Sequence, residues 1–283
     1  PGLFEYTFDR PSESFDFQFS ANKVTSQPYR VDVVKTPSLL GFEMFLNYPS
    51  YTGKKDETLK STGNATLPEG TQVTWKVTTK NTETVQLKTV DTSYVFGKEV
   101  SHFQFQKGIY QRTDYSITTS NKDLKDYENL AFTLGVVKDA YPTISVKSKQ
   151  DTTELQTYYF LGEVSDDYGL SKLQLVYYPV GEEALKQTQS LPVNSSNFDQ
   201  FVYTFPGNLP LEDGVAYEYY FEVFDNDAIH RFKSSKSALY TFRKLTQDER
   251  ENEQLNKQEE NIKDLSKTLE NMKDQEKLLD EIN

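Results

Sequence analysis

The chain has 283 residues, with 19 Tyr, 19 Phe, one Trp, no Cys and a formal net charge of −12. An acidic chain without a Lys/Arg-rich tract is repelled by phosphate backbones, and a chain without cysteine has no thiolate metal centre, cysteine nucleophile or disulfide. No apolar run approaches the roughly 20 residues of a membrane-spanning helix, and the wealth of Phe and Tyr favours strands.

The first element, "FEYTFDRPSESFDFQFSANKVTSQPYRVDVVKTP" from Phe4 to Pro37, opens on an aromatic-x-aromatic strand. A turn and an alternating strand through Phe15, Phe17 and Phe19 follow. The same order returns from Ser101 to Pro142, through Tyr115 and Ile117, and from Phe201 to Leu245, through Tyr217, Tyr219, Phe221 and Val223. The first two copies close on Val33-Val34-Lys35 and Val136-Val137-Lys138, each with a proline shortly after. A period of roughly 100 residues built from short alternating strands is the signature of tandem immunoglobulin-like sandwiches. The expected fold is mainly β, with tandem Ig-like β-sandwich domains followed by an amphipathic, coiled-coil-type helix. Residues 1–37 are expected to be the C-terminal half of an Ig-like domain, 38–140 and 141–245 complete sandwiches, and 246–283 the helix. The start at Pro1-Gly2, with no initiator Met and no signal peptide, reads as a piece of a longer protein. Strands 1–37 alone would expose an unpaired apolar face and edge.

Within 38–140, a Pro-Glu-Gly turn leads into alternation at Val73, Trp75 and Val77. The single tryptophan is expected in the core, where large aromatics serve as burial anchors. His102 sits beside Phe103 and Phe105 and is expected to point outward from a strand.

Within 141–245, "SDDYG" (Ser165 to Gly169) lies between the strand "TYYFLGEV" and an alternating run through Leu173, Leu175 and Tyr177. Asp side chains accept bonds from nearby backbone N–H groups in such turns, and Gly supplies a positive φ, so the favoured reading is a structural turn. The other reading is calcium. A second acidic group, Asp225-Asn226-Asp227, follows another strand, and a calcium site gathers about six to eight oxygens. If the two loops meet, Asp166, Asp167, Asp225 and Asp227 are its candidate ligands. His230 follows this turn, so a His/Asp metal pair is a further reading. No other cofactor is expected, and no paired acid/base cleft, phosphate loop or nucleophile elbow points to an enzyme. The doublets Tyr158-Tyr159, Tyr177-Tyr178 and Tyr219-Tyr220 place one ring inward and leave the other for an outer aromatic patch.

The last 38 residues lack Gly and Pro, begin with the capping box Thr246-x-x-Glu249, and hold twelve acidic and six basic residues. Leu255, Ile262 and Leu269 fall on heptad a positions, and Leu265, Met272 and Leu279 on d, with Gln258 and Glu276 interrupting the seam. This narrow stripe is the expected protein-binding surface, pairing with another helix in cis or in trans.

"YPSYTG" (Tyr48 to Gly53), "GNATLPEGTQVTW" (Gly63 to Trp75), "SDDYGLSKLQLVYYPV" (Ser165 to Val180) and the acidic helix start after "YTFRKLTQDE" come in a telling order. In that order they resemble a family of large Gram-negative envelope proteins known only as a domain of unknown function. The resemblance implies tandem Ig-like periplasmic domains, an inner-membrane anchor upstream of Pro1 and a longer helical region after Asn283. It implies other envelope proteins as partners and brings no catalytic residues. The expectation is a non-enzymatic periplasmic scaffold that binds proteins through its sandwiches and helix. The alternative is an extracellular adhesion module that binds glycans or calcium.

Overall fold

The structure is a computed structural model that describes residues 2–154 and 156–280, with side chains to residue 273. The chain divides into two compact units, residues 1–138 and 139–283. It is mainly β, with a single helix at its C-terminal end.

Unit 1 holds a sandwich of two five-stranded sheets. One runs Gly97–Lys98, Phe103–Ile109, Thr71–Lys80, Ser38–Asn47, Glu57–Lys60. The other runs Ser93–Val95, Thr84–Lys88, Thr113–Ser120, Glu128–Val137, Ala65–Pro68. The last pairing is parallel, with Leu134 opposite Ala65, whereas the other pairings of the two sheets are antiparallel. The four edge strands are short, the longest being four residues; one carries Glu57 and Lys60 and another ends at Pro68. Charge, proline and brevity are the devices that keep an edge from pairing with another chain.

Alternation explains the core. Val73, Trp75 and Val77 point to the same face of their strand and are buried against Tyr115, Ile117 and Leu134 of the facing sheet. Trp75 donates through Nε1 to the Tyr115 hydroxyl at 3.0 Å, and that hydroxyl donates to the Gly63 carbonyl at 2.7 Å. The one polar atom of the indole is therefore satisfied inside the core, as a buried tryptophan requires.

Ahead of this sandwich, Phe15–Phe17 pairs with Tyr29–Val31, and Ser20–Ala21 with Val24–Thr25. Phe8 meets Phe15 and Phe17 at ring-centroid distances of 4.6 and 5.2 Å, and Phe17 stacks on Tyr29 at 5.5 Å. Phe19 and Tyr29 remain exposed.

Unit 2 is a second Ig-like sandwich. A three-stranded sheet, Thr143–Gln150, Tyr158–Ser165, Phe198–Phe205, faces a sheet ordered Gln187–Leu191, Leu170–Pro179, Ala216–Asp225, Ser234–Lys236, with Tyr240–Arg243 also paired to Ala216–Asp225. Its core is aromatic: Phe205 stacks on Tyr219 at 3.9 Å and Phe160 packs on Phe221 at 5.2 Å. Gly162 makes room for this packing. It lies opposite Phe201, and a Cβ on Gly162 would stand 2.1 Å from the buried Phe201 ring. Gly162→Ala is therefore expected to destabilise unit 2 by about 1–3 kcal/mol through overpacking. Urea unfolding followed by far-UV circular dichroism would register it as a fall in the midpoint of the unit 2 transition.

The helix Gln247–Asp280 begins at the expected capping box. The Thr246 N–H donates to Glu249 Oε2 at 2.9 Å, and the Glu249 N–H donates to Thr246 Oγ1 at 3.4 Å, so two otherwise orphaned donors are answered. No helix among the described residues is long and apolar enough to cross a membrane.

Candidate functional site

Both acidic turns lie at one pole of unit 2. Asp166 builds the first: its Oδ2 accepts the backbone N–H of Tyr168 at 3.0 Å and of Gly169 at 2.8 Å. That is an Asx-type turn, the role that turn chemistry assigns to this residue. Gly169 has φ +146°, and a Cβ there would lie 3.0 Å from Asn226 Nδ2, so glycine is required. The second turn is tied to the first. The Asn226 N–H donates to the Gly169 carbonyl at 3.0 Å, and the Ser171 hydroxyl donates to the Asp225 carbonyl.

Two residues absent from the sequence reading complete the pole. Thr143 pairs antiparallel with Ser165, so the chain just ahead of Thr143 runs alongside the first turn and delivers Asp139. Carboxylate oxygens of Asp139, Asp166 and Asp167 lie within 4.8 Å of one another. Lys233 enters from the other side. Its Nζ contacts Asp139 Oδ2, donates to the Asp139 carbonyl at 2.9 Å, and stands 3.7 Å from Asp225 Oδ2 and 3.6 Å from Asp227 Oδ2. His230 Nδ1 lies 2.5 Å from Asp227 Oδ2. Asp139, Asp166, Asp225 and Asp227 are buried and Asp167 is exposed. The four aspartates singled out from sequence thus share one pole but divide in role: Asp166 and Asp167 group with Asp139, Asp227 groups with His230 and Lys233, and Asp225 faces Lys233.

Burial sets the protonation of this pole. It pushes the Asp139 carboxyl up to about 7, against Lys233 and with help from Asp166 and Asp167. It also raises Asp225, again against the pull of Lys233. At Asp227 burial acts upward too, but the His230 imidazole and the N–H groups of Ile229 and His230 outweigh it and hold the group below the usual aspartate range. For Lys233, burial acts downward and the three neighbouring aspartates outweigh it.

The remaining candidates are placed as follows. His102 lies one residue before the strand Phe103–Ile109, half-buried and on the side of the exposed Gln104, with its ring nitrogens 3.4 Å from Ser101 Oγ and Gln104 Oε1. The outer aromatic patch is corrected. Tyr177 and Tyr219 face the core, and Tyr178 and Tyr220 are buried with Val176 on the opposite face of the sheet. Lys186 lies over both outer rings, 5.1 Å from Tyr178 and 6.0 Å from Tyr220, and Lys236 lies 4.7 Å over Tyr220. Lysine stems and charges close that face. Of the six doublet tyrosines only Tyr159 is exposed.

The helix is tied to its unit over its first turns. Arg243 pairs with Glu249 at 3.2 Å, Arg250 with Asp213 at 2.8 Å, and Lys257 donates to the Thr153 carbonyl at 3.0 Å. The heptad stripe itself is uncovered, both at Leu255 within this tethered part and beyond it: Leu255, Ile262, Leu265, Leu269 and Met272 are each 56–68% exposed. The Leu279 side chain lies outside the described residues.

The profile of a protein family described as a domain of unknown function, DUF4175, matches residues 27–212, more than half of the chain. The chain belongs to the DUF4175 family. The DUF4175 match takes in Trp75, Asp139 and the Asp166 turn, and ends before Asp225 and the helix. No curated protein matches the chain. Among solved structures, this DUF4175 chain is similar to the fibronectin(III)-like modules of Clostridium thermocellum CbhA, at 11% identity, 65% coverage of this chain, 92% of that chain and a TM-score of 0.23. It is also similar to the FN1-FN3 domains of chicken CNTN1, at 11% identity, 82% and 78% coverage and a TM-score of 0.24.

Proposed function

We propose that this DUF4175 chain is a non-enzymatic interaction segment of an envelope scaffold in Gram-negative bacteria. It is periplasmic and held at the inner membrane by a segment outside this chain. The observation that carries the reading is the uncovered stripe from Leu255 to Met272 on a helix whose other positions as far as Lys273 are polar. An isolated helix gains little from such a stripe, and most helical stability comes from packing an apolar face. A seam at a and d spacing fits one kind of surface well, the matching seam of a second amphipathic helix. That helix is the proposed partner, supplied by another envelope protein or by the chain further along. The Ig-like sandwiches support the same role, since this architecture serves widely as a spacer and a recognition module. The adhesion alternative is weakened by the burial of Tyr178 and Tyr220, which leaves Tyr159 as the exposed ring of the doublets, and it keeps its calcium half.

Each seam residue contributes about 1.5–3 kcal/mol when fully buried. Replacing three of them, Ile262→Asp, Leu265→Asp and Leu269→Asp, is therefore expected to abolish pairing. The test places a photo-crosslinking amino acid at position 265 of the intact protein in its native membranes and maps the adduct by mass spectrometry. A single helical segment as the cross-linked partner, lost when Ile262→Asp and Leu269→Asp are added, is the expected result. Adducts to lipid alone, or adducts that survive both aspartates, would overturn the reading.

A further inference from the structure

The acidic pole of unit 2 is short of positive charge. Asp139, Asp166, Asp167, Asp225 and Asp227 gather there, and among the described residues Lys233 and His230 are the basic groups paired with them. The deficit is localised on particular atoms. Asp139 Oδ1, Asp166 Oδ1 and Asp225 Oδ2 are fully buried with no N–H or hydroxyl donor on them, and the Asp139 and Asp225 carboxyls stand close enough to share a proton, which leaves Asp166 Oδ1 with no partner of either kind. The residues that carry them are at least nine-tenths buried, at 9%, 9% and 0% exposure. A buried carboxylate oxygen without a donor is among the more unfavourable arrangements a fold can hold.

Lys233 relieves it only in part, one ammonium among three carboxylates. Its Nζ is engaged by the other oxygen of Asp139 and by the Asp139 carbonyl, and it stays 3.7 Å from Asp225 Oδ2. Asp227 stands apart from the deficit. Its Oδ1 accepts the Ile229 N–H at 2.8 Å and its Oδ2 faces His230 and Lys233. Asp166 Oδ2 is likewise spent on the turn, which leaves its Oδ1 for another partner.

We infer that this pole binds a divalent cation, calcium, with Asp139, Asp166 and Asp167 as carboxylate ligands and Asp225 behind them. The inference is independent of the helix. The donor set is all oxygen, which suits a hard cation and excludes a preference for zinc or copper. The three carboxylates come from separate points of two loops, a flexible set that accommodates the loose geometry of calcium better than the strict octahedron of magnesium. Asp167 is exposed, so the site opens to solvent on one side, which gives the ion an entry path and waters to complete its shell.

The test uses the full chain stripped with EGTA. Calorimetric titration with calcium chloride is expected to give one site with Kd on the order of 10⁻⁴–10⁻³ M. Calcium should raise the Tm of unit 2, and magnesium at the same concentration should raise it far less. Asp167→Asn changes an exposed side chain, so the variant is expected to fold, and it should weaken calcium binding about tenfold or more, because affinity follows the number of ligand charges. Asp139→Asn should remove the response. A folded wild-type chain indifferent to calcium up to about 10 mM, beyond the weakest range of such sites, would overturn the inference. So would a calcium response left intact in Asp167→Asn, since that ion would sit elsewhere, for instance along the acidic helix.

Discussion

Trp75→Ala is expected to lower the stability of unit 1 by about 3–5 kcal/mol, the range for deleting a large aromatic from a packed core. The indole is 1% exposed and packs against two other rings: it stacks on Phe105 at 5.8 Å and meets Tyr115 edge-on at 5.6 Å. It also holds half of a hydrogen-bond chain. Without its N–H, the Tyr115 hydroxyl loses its buried donor and keeps the Gly63 carbonyl and the Met44 sulfur as acceptors. Tyr115→Phe tests that chain by itself. It leaves the Trp75 N–H and the Gly63 carbonyl unanswered in the core, and about 1–3 kcal/mol should be lost for such an unsatisfied group. Because Trp75 is the only tryptophan, its fluorescence reports unit 1 selectively during urea unfolding of the Tyr115→Phe chain. Trp75→Ala is followed by circular dichroism. A loss under 1 kcal/mol in Trp75→Ala would show that the core does not close around this ring.

Lys233→Met is expected to cost unit 2 about 3–5 kcal/mol near neutral pH with chelator present, the range for removing one partner of a buried ion pair. The lysine side chain is 10% exposed, and the Asp139, Asp225 and Asp227 side chains it serves are at most 1% exposed. Removing the ammonium leaves their charges uncompensated. The loss should shrink as the pH falls, because protonation then neutralises the same carboxylates. Wild-type stability in chelator should show the matching slope. The folded Asp139 carboxyl titrates at about 7, well above an unfolded aspartate, so the folded state holds its proton more tightly. Its contribution is fully present below the unfolded value of roughly 4 and is lost as pH rises toward 7, at no more than about 1.4 kcal/mol per pH unit. Asp225, also raised, adds in the same direction. Asp227, lowered, acts oppositely, with a contribution that is present above the unfolded value and lost as the medium is acidified. A flat stability profile between pH 4 and 7, with an unaffected Lys233→Met chain, would show that the pole is closed by other means.

What the sequence reveals, and what it hides, follows from the range of each interaction. Val73, Trp75 and Val77 are readable as a core face because strand alternation is a local, two-residue rule, and the facing sheet then buries them. The Thr246–Glu249 box and the Asp166 turn are readable for the same reason: donor and acceptor lie within three residues. The pairing of the two acidic turns is not local. It depends on Ser171 reaching the Asp225 carbonyl, and no period in the sequence encodes that. Asp139 and Lys233 lie 94 residues apart and meet only because the Thr143–Gln150 strand pairs with the strand leading into the first turn. The tyrosine doublets mark an intermediate case. Alternation correctly separates Tyr177 from Tyr178 into opposite faces, but it carries no information on whether the second face is covered. Lys186 and Lys236 cover it, and a lysine in a sequence gives no hint that its stem will lie on a ring.

The short edges of unit 1 bear on how such a protein matures. Tethered domains of one architecture emerge from the ribosome at high mutual concentration, and misassembly between neighbours is a characteristic failure of multidomain chains. A long, bare edge strand would invite a half-formed neighbour to add its own strand. Edges of two to four residues, one with charge at both ends and one closed by proline, offer too few consecutive backbone groups for such an exchange to compete with correct closure. In this chain, fidelity during synthesis is written into the margins of the sheets and not into their centres.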